Sequence, residues 1–345
     1  MNKDITIYDI AKNLGVSPTT VSRALNDHPA VNPKTKKRIF DAADQMGYQS
    51  NVFASNLRSK RTNNIGIIVP RLNSSFQSSV LAGMEKVANE AGYNLIISQS
   101  LESYEKEKAN ARSMFNSRVD GLLVSLAGDT DKTKHFQPFM DKGTPILFFD
   151  RVASQSGHTG VVIDNSQAGY NATQHLIQQG CKNIIHVLGN LKINVYGERL
   201  KGYKYALMDH DIPFTQENIL HSDLNEEAGE DIAHKILSMD PLPDGLFVSN
   251  DACAASCIRS LKQAGIKIPE DIAVVGFNND MISRLIEPNL TTTHYPGYEM
   301  GEVAMKNLIN HLTDNTEGVL HNTNTITLRS ELIIRASSLK KKLEP

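Results

Sequence analysis

The chain has 345 residues, 40% of them hydrophobic and 21% charged, and a formal net charge of −2. At roughly 100–200 residues per domain, this points to two or three domains, each able to bury a core, and excludes disorder and low complexity as the main state. The three cysteines fit a reducing compartment rather than a disulfide scaffold.

The longest apolar runs, such as Ile146–Phe149, fall far short of the roughly 18 residues that a membrane helix needs. No apolar stretch follows the first basic residue, so no signal peptide is expected and the protein is placed in the cytoplasm. The net charge hides an asymmetry. Residues 1–63 carry ten Lys/Arg against five Asp and no Glu, a net of +5, and the remainder carries −7. A small basic head on a mildly acidic body fits a nucleic-acid-binding arm joined to a domain with another task.

The head reads as three short helices. Thr6 is a good N-cap with Asp9 three residues on, Ile7, Ile10, Ala11 and Leu14 form one face, and Gly15 stops the helix. Ser17 caps a second helix with Pro18 in its first turn. There Val21, Ala24 and Leu25 share one face, and Thr19, Ser22 and Arg23 share the other. Asn32-Pro33 opens a third, with Ile39, Ala42, Ala43 and Met46 inward and Gly47 at its end. Two helices joined by Gly-Val-Ser, the second short and polar outside, form a helix-turn-helix signature. Small or cationic outer residues let that helix approach base edges, where Arg23 could bind guanine O6 and N7.

After the head, residues 51–58 are weakly helical (Ala54 and Leu57 share a face) and residues 59–64 are a polar linker. A helix this short is marginal in water and is expected to form only against a partner. Beyond it, apolar runs at 65–69, 95–97, 122–124, 146–149, 161–163, 184–188, 246–248 and 272–275 alternate with helical stretches such as 80–91, 167–179, 197–209, 226–239 and 252–264. Continuous apolar strands with helical crossovers indicate buried parallel sheets, and so many strands point to two α/β lobes.

The run TIYDIAKNLGVSPTTVSRALN from Thr6 to Asn26, followed by KKRI at Lys36, MGY at Met46 and NVFASNLR at Asn51, resembles the N-terminal signature of the LacI/GalR transcription regulators. The resemblance continues to about Arg335. It implies an α/β chain made of a three-helix helix-turn-helix DNA-binding domain (1–49), a hinge helix and linker (50–63), a two-lobed, type I periplasmic-binding-protein-like effector domain with parallel sheets (64–337) and a tail (338–345). The chain would cross between lobes near 163, 291 and 323, which gives an N-lobe of 64–163 and 292–323 and a C-lobe of 164–291 and 324–337. By family position Pro18, Thr19 and Arg23 face bases, with Ser22 and Asn26 on the same surface, and Ser17 and Thr20 contact phosphates. Leu57, flanked by Arg58, would wedge a minor-groove base step. The partners implied are double-stranded DNA bearing a pseudo-palindromic operator, a second copy of the chain and a small-molecule effector, at the nucleoid.

Ligands in such folds sit at the carboxyl ends of strands. Phe76 follows the first strand and either stacks on the effector or packs the core; Asp150 and Arg151 end the 146–149 strand, binding hydroxyls or forming a salt bridge. Arg199, read as the start of a helix, opposes the helix dipole there, which favours a functional role, and its family position is an effector-binding arginine. Asn250 and Asp251 follow the 246–248 strand. Asn278 stands where many relatives carry Asp, and Asp280 could serve instead. This lining suits a sugar or sugar phosphate, with a purine as the alternative. No phosphate-loop, dinucleotide, nucleophile-elbow or zinc-protease motif is present, so no catalysis, cofactor or metal is expected. Cys253 and Cys257 read as buried thiols, and His186 as a core histidine. A ligand receptor without a DNA role and a doubly wound enzyme are the rival readings. The family's habit favours a repressor over an activator, and no heptad repeat after Arg335 supports a tetramer.

Overall fold

The computed structural model describes residues 5–48, 61–153, 159–313 and 325–340. They fall in two compact units, Met1–Thr62 and Asn63–Pro345.

The first unit holds α1 (Ile7–Leu14), α2 (Pro18–Leu25) and α3 (Pro33–Gln45). Each begins at a residue suited to satisfy free backbone N–H groups. Thr6 N and Oγ1 both donate to Asp9 Oδ2 (2.9 and 2.6 Å), Ser17 Oγ accepts Thr20 N (3.1 Å), and Asn32 Oδ1 accepts Lys34 N (2.8 Å). Gly15 closes α1 with φ 65°, the left-handed region that glycine enters without Cβ strain. Ile10, Ala11, Val21, Ala24, Val31, Ile39 and Ala43 form the core.

The second unit contains two six-stranded sheets. The first has the order β11-β5-β4-β3-β1-β2, with β1 (Asn64–Val69), β2 (Asn94–Gln99), β3 (Gly121–Val124), β4 (Ile146–Phe149), β5 (Gly160–Ile163) and β11 (Thr325–Leu328), all paired in parallel. The second runs β12-β10-β9-β8-β6-β7, with β6 (Ile184–Leu188), β7 (Ile219–His221), β8 (Gly245–Val248), β9 (Ala273–Asn278), β10 (Thr291–His294) and β12 (Glu331–Ile333); only β12 is antiparallel. Their central strands are buried end to end, which is why the sequence shows runs rather than alternation. The N-lobe sheet carries α4 (Ser75–Glu90), α5 (Tyr104–Asn116), α6 (Gln137–Asp141) and α12 (Gly297–Thr313), and the C-lobe sheet carries α7 (Asn165–Gln178), α8 (Asn194–Asp209), α9 (Glu226–Leu237), α10 (Asp251–Gln263) and α11 (Ile282–Leu285).

The chain passes between lobes three times. The first passage separates Ile163 from Asn165. The second follows His294 rather than residue 291, because Thr291–His294 is a strand paired along β9. The third, expected near 323, lies outside the described residues at that position, yet β11 still pairs with β5 in the N-lobe, so the passage follows Leu328. Residues 292–294 thus belong to the C-lobe and 325–328 to the N-lobe, the reverse of the sequence-based boundaries at these residues. Short threonine-rich strands such as Thr291–His294 lack the apolar run that marks the others.

Two close approaches fix the C-lobe. Helices α7 and α8 touch backbone to backbone: a Cβ on Gly202 would lie 1.8 Å from Ser166 O, and one on Gly169 would lie 2.4 Å from Arg199 O. Asp251, fully buried, joins α10 to two other elements: Oδ1 accepts Thr292 Oγ1 (2.7 Å) and Oδ2 accepts Asp280 N (2.8 Å). Burial, with repulsion from Asp280, pushes this carboxyl up to about 7 against the pull of the Thr292 hydroxyl and the Asp280 and Phe277 amides.

Gly202→Ala is expected to destabilise the second unit by about 2–3 kcal/mol, since neither backbone can yield cheaply; urea unfolding checks this. The Asp251 carboxyl, near 3.8 when unfolded, binds its proton more tightly in the folded chain, so its stabilising contribution is complete below about pH 4 and is lost as pH rises to about 7. Asp251→Asn should flatten the stability–pH curve in that window. Equal slopes for both proteins would contradict the assignment.

Candidate DNA-reading surface and interlobe cleft

On the first unit, α2 presents Ser17, Thr19, Arg23 and Asn26 as exposed residues, with Pro18, Thr20 and Ser22 half-buried beside them. The inward side, Val21 and Ala24, is locked in the core, so the outer side is held rigidly. Three of these side chains are already engaged. Ser17 Oγ accepts the Thr20 amide and lies 2.8 Å from Thr20 Oγ1, and Asn26 Nδ2 donates to Ser22 O (2.8 Å). The Arg23 side chain has no hydrogen-bond or ion-pair partner among the described residues. Lys34, Lys37 and Arg38 on α3 are exposed as well, whereas Lys36 is paired with Asp27. Leu57 and Arg58, expected at the hinge, lie outside the described residues.

In the second unit, strand ends from both lobes converge. Phe76 is not in a loop: α4 starts at Ser75, capped by Ser74, and Phe76 sits in its first turn, 4.2 Å from the Tyr295 ring at 24°. Asp150, at φ 59° and buried, receives three donors: Tyr295 Oη on Oδ1 (2.6 Å), and Gln77 Nε2 (3.1 Å) and Ser125 Oγ (3.3 Å) on Oδ2. Arg151 Nη1 donates to Glu102 Oε2 (2.6 Å), which also accepts Gly128 N (3.0 Å). The salt-bridge reading of Arg151 is therefore realised in the structure, with Glu102 as the partner. Burial opposes the Arg151 charge, but Tyr196, Glu102 and Asp150 outweigh it and hold the group above its ordinary value.

Arg199 is not at a helix start. Helix α8 begins at Asn194, so Arg199 lies in its second turn and the dipole argument lapses. The residue is 3% exposed: Nε donates to Asn165 Oδ1 (2.9 Å), Nη1 to Ser249 O (3.2 Å), and the guanidinium carbon lies 3.5 Å from the Phe277 ring centroid. Burial lowers its proton affinity, partly offset by Tyr295, Tyr196 and Asp150.

Asn278, at φ 117°, donates through Nδ2 to Asp280 Oδ2 (3.3 Å), and both line a cavity of about 370 Å³ that Phe76, His294 and Tyr295 share. Non-glycine residues held at such φ angles concentrate at functional sites. Asn250 and Asp251 are placed differently from the expectation. Asn250 Oδ1 caps α10 by accepting Ala252 N (2.8 Å) and Cys253 N (3.2 Å), and the Asp251 carboxylate is consumed inside the C-lobe. Both follow a strand end, but the helix start and the buried threonine claim their oxygens. Cys253 and Cys257 are buried, with burial pushing Cys253 up to about 11, and the described residues contain no metal-ligand cluster. His186 lies flat against Phe247 in the core, its Nδ1 3.0 Å from Phe247 O, and burial pulls it down to about 3.

Four site residues escaped the sequence reading: Glu102, Gln77, Asn165 and Tyr295. Glu102 and Asn165 follow β2 and β5, so the strand-end rule that singled out Asp150 could have found them. The lobes also touch directly across the cleft. Asn194 Oδ1 accepts Val152 N (3.2 Å), Asn190 Nδ2 donates to Gly128 O (3.4 Å), and Lys192 Nζ lies 3.9 Å from Asp131 Oδ2.

Comparison with known proteins places these features. The family model described as "Bacterial regulatory proteins, lacI family" matches residues 6–51, and "Periplasmic binding protein-like domain" matches residues 173–338. Catabolite control protein A of Priestia megaterium is 32% identical over 314 residues, 91% of this chain and 94% of that protein. The HTH-type transcriptional repressor PurR of Aliivibrio fischeri (strain MJ11) is 32% identical over 341 residues, 97% of this chain and 99% of that one. The solved lac repressor dimer bound to operator and the anti-inducer ONPF shares the fold, with a TM-score of 0.87 at 24% identity, covering 98% of this chain and 100% of its own. The chain belongs to the lacI family of bacterial regulatory proteins and is a DNA-binding transcriptional regulator.

Proposed function

We propose that the chain represses a carbohydrate-related operon by binding, without catalysing a reaction, and that a sugar or sugar phosphate held between its lobes sets its affinity for the operator. The observation that carries the DNA half is the capped, core-locked α2 with an unengaged Arg23 beside Thr19 on its outer face. A rigid helix with a free guanidinium is what bidentate recognition of guanine requires. A head this small buries little DNA, so two copies on a pseudo-palindrome are needed for useful affinity. The second copy fits the edge of the N-lobe sheet. There β2 is unpaired on its outer side, and Leu81, Leu95 and the 41%-exposed Ile97 face a groove of about 680 Å³. An unpaired edge strand beside apolar side chains favours association.

For the effector, Phe76, Asp150, Arg151, Arg199, Asn278 and Asp280 are the residues proposed to line the cleft, while Asn250 and Asp251 support it from within the C-lobe. The near-parallel Phe76–Tyr295 pair favours a second reading, a purine or other flat metabolite stacked on these rings.

Selection of bound sequences from random duplex DNA with the full-length protein should enrich a pseudo-palindrome. No enrichment, with and without added sugars and purines, would overturn the operator reading. Arg23→Ala should lose about 1–3 kcal/mol on the enriched site and little on random DNA; equal losses would rule out base reading by Arg23.

A further inference from the structure

His294 lines the cavity with Phe76, Asn278 and Tyr295, and one of its ring nitrogens is already committed. It ends β10, in register with Asn278 on β9. Asn279 follows β9 at φ 61°, and its Nδ2 lies 3.3 Å from His294 Nδ1. The Asn279 backbone is held by its N–H, which donates to Thr292 Oγ1 (3.2 Å). Its side-chain oxygen accepts Arg335 Nη2 (2.7 Å). Arg335, just after β12, is itself pinned. Its N–H donates to Thr291 Oγ1 (2.7 Å), its carbonyl accepts the same hydroxyl (2.9 Å), and Nη1 donates to Ser283 Oγ (3.1 Å) and Leu290 O (2.7 Å).

These contacts allow one set of proton positions. A guanidinium only donates, so the Asn279 atom that meets Arg335 is the amide oxygen. The amide nitrogen then faces His294, and because it only donates, His294 Nδ1 accepts. A neutral imidazole that accepts at Nδ1 carries its proton on Nε2. Nε2 has no hydrogen-bond partner among the described residues and is not among the fully enclosed polar atoms. We infer that Arg335, acting through Asn279, is a positioning residue that fixes the His294 tautomer, so that the cavity presents a hydrogen-bond donor at His294 Nε2. This rests on the effector reading given above and narrows it: the ligand meets that nitrogen with an acceptor, such as a hydroxyl, a carbonyl or a ring-nitrogen lone pair. A group with donors alone at that point is rejected, because neither it nor the fixed imidazole supplies the lone pair.

The test is long-range proton–nitrogen NMR on the full-length protein labelled with nitrogen-15 histidine, at about pH 8, where histidine is ordinarily neutral. It reads which ring nitrogen bears the proton, and His294→Gln assigns the signals by their loss. Wild-type His294 should carry its proton on Nε2. Asn279→Asp replaces the donor amide with an acceptor that Arg335 still reaches, and aspartate tolerates the left-handed backbone there. This variant should place a proton on Nδ1. Arg335→Met should free the Asn279 amide to turn over, so that the His294 signals move off the pure Nε2–H pattern while those of His186, in the core of the same lobe, stay in place. A wild-type proton on Nδ1, or an Asn279→Asp protein with His294 unchanged, would overturn the inference, and both readings remain if the methionine variant does not fold. In Arg335→Met, unchanged His294 signals, or His294 and His186 moving together, would also overturn it, the second by reducing Arg335 to a structural role. Failure of the effector reading would show separately, as operator affinity unmoved by glucose or hypoxanthine, with the tautomer result unaffected.

Discussion

Tyr295 Oη donates to Asp150 Oδ1 across 2.6 Å inside the second unit, and much of the body's architecture is organised around that bond. Tyr295 lies in the passage from β10 in the C-lobe to α12 in the N-lobe, and Asp150 ends β4. The bond therefore ties the passage between the lobes to the end of a strand in the N-lobe sheet. Around it stand Gln77 and Ser125 on the same carboxylate, Phe76 stacked on the tyrosine ring, and Arg199 with its central carbon 5.7 Å from that ring. A buried carboxylate must be saturated with donors, and each donor here comes from a different element.

The head works on a different principle. It is small, and its helices are held by caps and a seven-residue core rather than by area. Its net positive charge suits attraction to DNA phosphates, which by itself carries no sequence information.

Much of this was legible from residues alone. The caps at Thr6, Ser17 and Asn32, the glycine stop at Gly15 and the apolar runs of the sheet centres follow from local rules, and the structure has them. What was hidden depends on pairing over long distances. Thr291–His294 is a strand because β9 lies beside it, and nothing in Thr-Thr-Thr-His announces that partner. Helix α4 begins at Ser75, five residues before Val80, where the sequence pattern places its start, because the polar Asn-Ser-Ser and Gln-Ser-Ser flanking Phe76 read as loop. Asp251 looked like a cleft acid because it follows a strand; the buried Thr292 hydroxyl that claims it sits 41 residues away. Arg199 stands out by its family position; the helix-start argument offered beside that does not hold, because the helix begins at Asn194.

The central claim is that the orientation of the lobes governs operator binding. Asp131 and Lys192 face each other across the cleft at 3.9 Å, both well exposed. All three native cysteines are buried, with burial raising their thiol pKa values, so a short bis-methanethiosulfonate cross-linker, which forms a disulfide to each thiolate with release of methanesulfinate and is cleaved by reductant, would join Asp131→Cys to Lys192→Cys selectively. The account predicts that the tether changes operator affinity by at least about fivefold and that cleaving it restores the original value. Identical operator affinity with the lobes tethered and free would contradict it.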